Sequence, residues 1–428
     1  MHTKLEIKVV NKNLGDIPNS IWNSDVKQSG FDNLDFLVHL NYKGEYSFHD
    51  INDVKNNPND TFYFPYYCSL MHFSDLYDKK ENKNLLKLVD LLKQKNVKIL
   101  FFEPHEVYSD FQLQKLSDFI DFFKIEKNRF FYITNDIQIE DKSKNLNFIG
   151  KKYNHLWINT SNGYIEDTRD INFKTEREFV FLNKNKKAKP HRLIILAILQ
   201  KYNLLHISNY SFLRGIQKEF DLDELVFGGS NKLDIDLEVM YSKHGGMPQE
   251  FVESPYLNHL QKNILNISNW PLVKTKYEKS SDMASHLKNG SNFAGMVQVK
   301  DYEESYINIT SETQYIENYV HISEKSLKPF AVYQLPIIVA SVNHIKCMKE
   351  YYDLDFFDDF IDHSYDNEKD NSKRLIMIQD EILRLSKLQK ELPKFFEENK
   401  ERFISNRKKI EEISNWKETK LLNYILNF

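Results

Sequence analysis

The sequence predicts an α/β protein with two lobes, each built around a parallel sheet, followed by a helical C-terminal segment. Apolar strands alternate with amphipathic helices in two stretches, 81–175 and 176–370, at lengths typical of βαβ units. The 428 residues are enough for two or three domains, and 41% of them are hydrophobic, which supplies a core for each. We therefore divide the chain into an N-terminal lobe (1–175), a C-terminal lobe (176–390) and C-terminal helices (391–428).

The first lobe is predicted from its clearest helices and strands. Leucine and valine recur at helical spacing over 84–95, and a second amphipathic helix is predicted over 111–123. Runs of aromatic and β-branched residues predict strands at 97–102, 129–134 and 147–150. Helix and strand therefore alternate, as they do in a parallel sheet.

The second lobe opens with an apolar run at 178–182, which predicts a strand. A basic loop follows, and then an apolar helix over 193–202. Pro190 suits the first turn of that helix, because the N–H that proline lacks would be unpaired there anyway. The remaining elements are two strands and three helices, predicted at 306–310, 323–333, 335–340, 344–352 and 372–389.

Glycine and arginine are both scarce. The chain has 12 glycines, and only 9 of its 58 basic residues are arginine. Neither GxGxxG nor GxxxxGK[ST] occurs, which excludes the Gly-rich phosphate loops. A bound nucleotide would need another device, such as a helix N-terminus, whose N–H groups and dipole favour anions.

Cysteine content and hydropathy indicate a cytoplasmic protein. Cys68 and Cys347 are too few for a disulfide framework or a cysteine-based zinc site. The longest aliphatic run, 193–199, is far shorter than a bilayer span, and the N-terminus lacks a secretory pattern. We expect no membrane span.

The start of the predicted helix at 323–333 is a candidate anion site. Ser323 can cap this helix, and Lys325 adds a full positive charge to its first turn. Glu324 is able to accept hydrogen bonds from a ribose diol. The same three residues also suit an ordinary capped helix, in which no ligand is involved.

Two further candidates follow strand ends, where ligands bind in open parallel sheets. Lys187 and Arg192 stand between a strand and a helix, and a cation at a helix start opposes the dipole unless an anion lies nearby. For most of the loop lysines, a solvated basic turn is the favoured explanation. Glu312 comes just after the strand at 306–310, where it could also cap a helix.

These stretches resemble the donor-binding half of nucleotide-sugar glycosyltransferases, in particular the fucosyltransferase-like group and related proteins of bacteriophage and bacterial genomes. The residues that carry the resemblance are 306–313, 321–329 with its Ser-Glu-Lys-Ser-Leu-Lys-Pro core, and the apolar strand 335–339. Ser326 and Leu327 stand where Thr and Phe are commoner. The resemblance covers about 180–390, whereas the first lobe shares only its strand–helix order.

The resemblance implies a GT-B fold, in which two Rossmann-like lobes enclose a cleft. It implies that Glu324 contacts the donor ribose, and that Lys325 and Arg192 contact the diphosphate. It also implies that the C-terminal helices pack back toward the N-terminal lobe, through Leu421 to Phe428. The nucleotide sugar is then a co-substrate, and neither a cofactor nor a metal is expected.

The catalytic base has no motif that can be carried over, so it is predicted locally. Glu103, His105 and Glu106 follow the strand at 97–102, and Asp136 follows the next strand. A carboxylate there could deprotonate an acceptor hydroxyl as it attacks the anomeric carbon. Each of these residues is also explained as part of a solvated loop.

A metal-dependent transferase would need an Asp-x-Asp pair, and three such triplets occur at 221–223, 234–236 and 353–355. None directly follows a clear strand, and chance matches are expected among 62 acidic residues. Gly-x-Ser-x-Gly is absent, so a serine hydrolase is not supported.

The sequence thus predicts a metal-independent glycosyltransferase that moves a sugar from a nucleotide diphosphate to an acceptor hydroxyl. The acceptor is a glycan or, in a phage-encoded enzyme of the host cytoplasm, a hydroxylated base in DNA. The net charge of −4 weighs against DNA. The alternative is a non-catalytic nucleotide- or glycan-binding module of the same fold.

Overall fold

A computed structural model of the chain describes its α/β elements and the segments between many of them. The described residues are 7–10, 46–49, 51–67, 90–103, 110–134, 136–152, 168, 171–185, 190–212, 272–274, 299–315 and 319–414. They fall into two compact units, one within residues 1–157 and the other within residues 158–414.

The first unit is built on a sheet of six strands that are all parallel, in the order β2-β1-β3-β4-β5-β6. The strands are β1 (Ile7–Val10), β2 (Tyr46–His49), β3 (Phe62–Tyr67), β4 (Val97–Glu103), β5 (Phe130–Thr134) and β6 (Ile149–Lys152). The helices whose bounds are described in this unit are α1 (Ile51–Asn56), α2 (Asp110–Phe122) and the single turn α3 (Ile139–Lys142).

Burial explains why these segments adopt their structure. All five residues of β5 are buried, as expected for a central parallel strand covered on both faces. Helix α2 buries Leu113, Leu116 and Ile120, whose spacing places them on one helical face. The predicted strands at 97–102 and 129–134 are confirmed as β4 and β5. The three strands before residue 80 were not predicted.

The second unit has a sheet of five strands in the order β11-β10-β7-β8-β9. Strands β11, β10, β7 and β8 are parallel, and β9 runs antiparallel to β8. The strands are β7 (Phe179–Asn185), β8 (Ser208–Phe212), β9 (Leu272–Lys274), β10 (Ser305–Ser311) and β11 (Leu335–Val339). The predicted strands at 178–182, 306–310 and 335–340 are thereby confirmed.

Seven helices of the second unit are described. They are α4 (Pro190–Lys201), α5 (Val299–Glu303), α6 (Glu324–Ala331), α7 (His344–Tyr352), α8 (Asn371–Lys387), α9 (Leu392–Glu398) and α10 (Lys400–Ser414). Helices α9 and α10 pack within this unit. The ring of Phe396 stacks on those of Phe403 and Phe173, and Arg407 donates to the carbonyl of Ala331.

Helices α9 and α10 belong to the second unit, because their aromatic residues complete its core. The predicted packing of the C-terminal segment toward the N-terminal lobe depends on Leu421 to Phe428. These residues lie outside the described part of the chain, so that packing stays a prediction. In the described part of the chain, no helix combines the length and apolar character needed to cross a membrane.

Candidate functional site

Polar residues gather at the carboxyl edge of the second sheet, where β7, β10 and β11 end and α4, α6 and α7 begin. Ser311, the last residue of β10, is in register with Val339, the last residue of β11. Ligands of open parallel sheets bind beyond this edge, because the strand ends and helix N-termini converge there.

Glu312 is the centre of this cluster, and its side chain is fully buried. One carboxylate oxygen, Oε1, accepts hydrogen bonds from Ser323 N at 3.1 Å and from Ser326 Oγ at 2.5 Å. The other, Oε2, accepts from Ser323 Oγ at 2.6 Å and from the backbone N of Thr313 at 3.2 Å. The carboxylate therefore ties the end of β10 to the start of α6.

The electrostatics of the cluster keep Glu312 ionised. Burial alone would raise the pKa of Glu312, but the charge of Lys325, the neighbouring histidines His344 and His321, and the hydrogen bond from Ser323 lower it to about 2. An anion thus lies at the N-terminus of α6, the position where the sequence suggested a bound phosphate. This anion belongs to the protein itself.

Arg192 is buried at the start of α4 and contacts the backbone carbonyl of Glu312. Its NH2 donates to the carbonyl of Glu312 at 3.2 Å and to that of Ser311 at 3.4 Å, and His191 Nε2 lies 2.9 Å from the Glu312 carbonyl. Burial lowers the pKa of Arg192 to about 10, while Glu312 and Glu324 oppose the shift, so the guanidinium stays charged at neutral pH.

The first turn of α6 is capped as the sequence predicted. Ser323 Oγ accepts from the backbone N of Lys325 at 3.3 Å. Lys325 Nζ lies 3.1 Å from Ser323 Oγ and 3.1 Å from Glu324 Oε1, and its side chain is 34% exposed. Glu324 is 3% exposed, and its Oε2 has no hydrogen-bond partner among the described residues.

Two buried histidines complete the cluster and were not predicted. His321 lies two residues before the cap of α6, and His344 is the first residue of α7. Burial lowers the pKa of His321 to about 4, although Glu312 opposes this, and burial also lowers the pKa of His344. In the sequence, both histidines could have been recognised as site residues only by their position between a strand end and a helix start.

The candidate bases of the first unit occupy different positions. Glu103 is the last residue of β4, in register with Thr134 at the end of β5. Asp136 is buried, and its carboxylate accepts from Gln138 N at 2.9 Å and from Lys142 Nζ at 2.8 Å. Burial raises the pKa of Asp136, and Lys142 opposes the shift. His105, Glu106 and the donor-site candidate Lys187 lie outside the described residues.

The acidic triplet at 353–355 is used for ion pairs. Asp353 Oδ2 lies 2.8 Å from Lys409 Nζ, and Asp355 Oδ2 lies 2.6 Å from Arg402 Nε. Among the residues that the structure describes, no group of three or more His, Cys, Asp or Glu side chains is arranged to hold a metal ion. The triplets at 221–223 and 234–236 lie outside those residues.

The structure therefore brings together Arg192, Glu312, Ser323, Glu324 and Lys325 at one sheet edge. Comparisons with known proteins add no relative: no family model, curated protein or solved structure matches the chain. The resemblance to nucleotide-sugar glycosyltransferases accordingly stays a prediction.

Proposed function

We propose that the protein is a glycosyltransferase that binds a nucleotide-diphosphate sugar at the carboxyl edge of its second sheet. One observation carries the proposal. Arg192 precedes Glu312 by 120 residues, yet contacts through the Glu312 carbonyl and carboxylate bring Arg192 and Lys325 together at this edge. The proposal includes a GT-B arrangement. Two units, each built on a sheet of mainly parallel strands, are compatible with it.

The roles follow from charge and accessibility. Lys325, partly exposed, would contact the diphosphate, and the buried Arg192 would add positive potential behind it, which stabilises the charge of the departing diphosphate. The unpartnered Oε2 of Glu324 would accept a hydrogen bond from a donor hydroxyl. Glu312 is engaged by Ser323 and Ser326, so we assign it a structural part in the site.

In the proposed reaction, the acceptor oxygen bonds to the anomeric carbon as the bond from that carbon to the diphosphate oxygen breaks. A carboxylate of the first unit takes the acceptor's proton. Glu103 and Glu106 are preferred for this role over Asp136, because the Asp136 carboxylate is already held by Lys142. The acceptor is a glycan or a hydroxylated base in DNA.

A panel of UDP-, GDP- and CMP-sugars tests the proposal by thermal unfolding. Because binding adds to the unfolding free energy, about 2.7 kcal/mol is expected for a ligand present at 100 times its Kd. Lys325→Gln should lose most of that gain, since it removes a charge-assisted contact worth roughly 1.5–3 kcal/mol. Lys346→Gln, an exposed lysine in the first turn of α7, is the matched control.

The panel also separates the alternatives. Stabilisation together with slow release of the nucleoside diphosphate from the sugar nucleotide supports a transferase. Stabilisation without any release or transfer favours the non-catalytic binding module. If no nucleotide stabilises the protein, or if Lys346→Gln weakens binding as much as Lys325→Gln, the proposed donor site is wrong.

A further inference from the structure

A buried chain of three side chains leads from α7 to the proposed site. His344 is 1% exposed, and its Nε2 lies 3.0 Å from Ser326 Oγ. Ser326 Oγ lies 2.5 Å from Glu312 Oε1 and is itself fully buried. Three separate elements thus meet through consecutive hydrogen bonds: the start of α7, the first turn of α6 and the residue after β10.

The direction of these hydrogen bonds is set by chemistry. The Glu312 carboxylate can only accept, so the Ser326 hydroxyl donates to it and accepts from the Nε2–H of His344. His344 Nδ1 has no hydrogen-bond partner among the described residues. This favours the neutral tautomer with its proton on Nε2, because a buried N–H without an acceptor is costly.

We propose that His344 is a positioning residue of the site: through Ser326 it orients the Glu312 carboxylate, and Glu312 in turn fixes the start of α6. The role of this positioning in nucleotide binding rests on the proposed function.

The contacts of Glu312 explain why the orientation matters. Oε1 accepts hydrogen bonds from Ser326 Oγ and Ser323 N, while Oε2 accepts one from Ser323 Oγ. Ser323 Oγ in turn caps the backbone N of Lys325. Without the Ser326 link, the carboxylate loses one of its four hydrogen bonds and keeps those from Ser323 and Thr313. Its orientation toward Ser323 is then less restricted, which loosens the turn that carries Glu324 and Lys325.

Matched variants of His344 separate positioning from packing. In His344→Gln, the side-chain amide keeps an N–H donor close to the position of Nε2, whereas His344→Leu fills the space without a donor. Ser326→Ala removes the hydroxyl that joins His344 to Glu312 and changes the side chain by a single oxygen atom. It replaces His344→Leu in the experiment if that variant does not fold. Glu350→Gln, an exposed residue of α7, is the control.

Hydrogen exchange of the ligand-free protein and nucleotide affinity are both measured. His344→Leu and Ser326→Ala should speed exchange in peptides covering 321–331 and weaken nucleotide binding about tenfold, the effect of one lost hydrogen bond to a charged group. His344→Gln should restore both values to near those of the wild type, and Glu350→Gln should change neither.

Two results would overturn the positioning role: unchanged exchange over 321–331 in His344→Leu and Ser326→Ala, or a loss in His344→Gln as large as in His344→Leu. If the wild-type protein binds no nucleotide, the proposed function fails by itself. The exchange pattern of the ligand-free variants still decides the positioning role in that case.

Discussion

Arginine is scarce in this chain, and the described arginines are used mainly to bind backbone carbonyl groups. Arg129 donates to the carbonyls of Val97 and Leu92, and Arg407 donates to those of Thr168 and Ala331. Further arginines that bind carbonyls are Arg177, Arg192, Arg374 and Arg384. The planar guanidinium has several donors and stays charged, which suits it to join segments distant in sequence.

Arg192 is therefore less distinctive than its position in the sequence suggested. The expected anion near this cation is present as Glu312, and the carbonyls of Ser311 and Glu312 accept from its NH2. A cation at a helix start calls for a nearby anion, and the protein itself supplies one in Glu312. Lys325, with its exposed fraction, is the more discriminating residue for tests of ligand binding.

The buried histidines and Glu312 predict a loss of stability in acid. His321 has a pKa of about 4 in the folded protein, below its ordinary 6.5, so between pH 6.5 and 4 the unfolded chain binds a proton that the folded chain does not. Glu312, with a pKa of about 2, extends the loss from pH 4.5 downward. The unfolding free energy should fall by up to about 1.4 kcal/mol per pH unit for each such proton.

Urea unfolding between pH 7 and 4 measures this slope. The charged groups that face the two histidines are Glu312, Glu324, Lys325 and Asp366. His321→Asn removes one titrating group and should flatten the curve between pH 6.5 and 5. A slope identical to that of the wild type would show that His321 does not titrate in this way.

At the scale of helices and strands, the acidic stretch 353–370 stabilises the helices around it. The Asp366 carboxylate accepts from the backbone N of Ile345 and of Lys346, both at 2.9 Å, at the start of α7. Asp370 caps α8 in the same manner. Carboxylates at these positions accept hydrogen bonds from the free N–H groups and interact favourably with the positive end of the helix dipole.

Substitution of Asp370 tests this reading at α8. Its Oδ1 accepts from the backbone N of Ser372 and of Lys373, both at 2.9 Å. Asp370→Ala should lower the unfolding free energy by about 1 kcal/mol in urea unfolding at pH 7, the usual cost of a lost N-cap. Asp370→Asn keeps an acceptor and should lose much less. Equal losses in both variants would mean that capping is not the cause.

At the scale of the whole molecule, charge bears on the choice of acceptor. The net charge is −4, and several basic residues of the described C-terminal helices form ion pairs within the protein. Arg402 pairs with Asp355 and Asp359, and Lys409 pairs with Asp353. A face that binds DNA phosphates needs accessible positive charge, which these pairs neutralise.

Heparin chromatography checks the consequence. The protein should elute at roughly 0.2 M salt or below, because its net charge is negative and Arg402 and Lys409 are paired with carboxylates. Retention to about 0.5 M salt would contradict this and favour DNA as the acceptor. A variant with Lys186, Lys187 and Lys189 changed to Gln would then show whether the basic loop carries the affinity.

The sequence predicted the α/β class and the strands β4, β5, β7, β10 and β11, because buried parallel strands read as short apolar runs between helical patterns. It did not predict β1, β2 and β3. Strands β1 and β2 have only four residues each, and β3 is an aromatic run interrupted by Pro65. Their parallel pairing within the six-stranded sheet depends on partners distant in sequence.

The amino-acid sequence by itself determined where polar residues follow strands and begin helices. Hydrophobic periodicity and capping preferences depend only on residues close together in the chain, so they can be recognised without the fold. Only the tertiary structure decided which side chains meet. It directed the Glu312 carboxylate to Ser323 and Ser326, linked His344 to the same site, and placed α9 and α10 in the second unit. Each of these contacts joins residues separated along the chain, so packing of whole elements determines them.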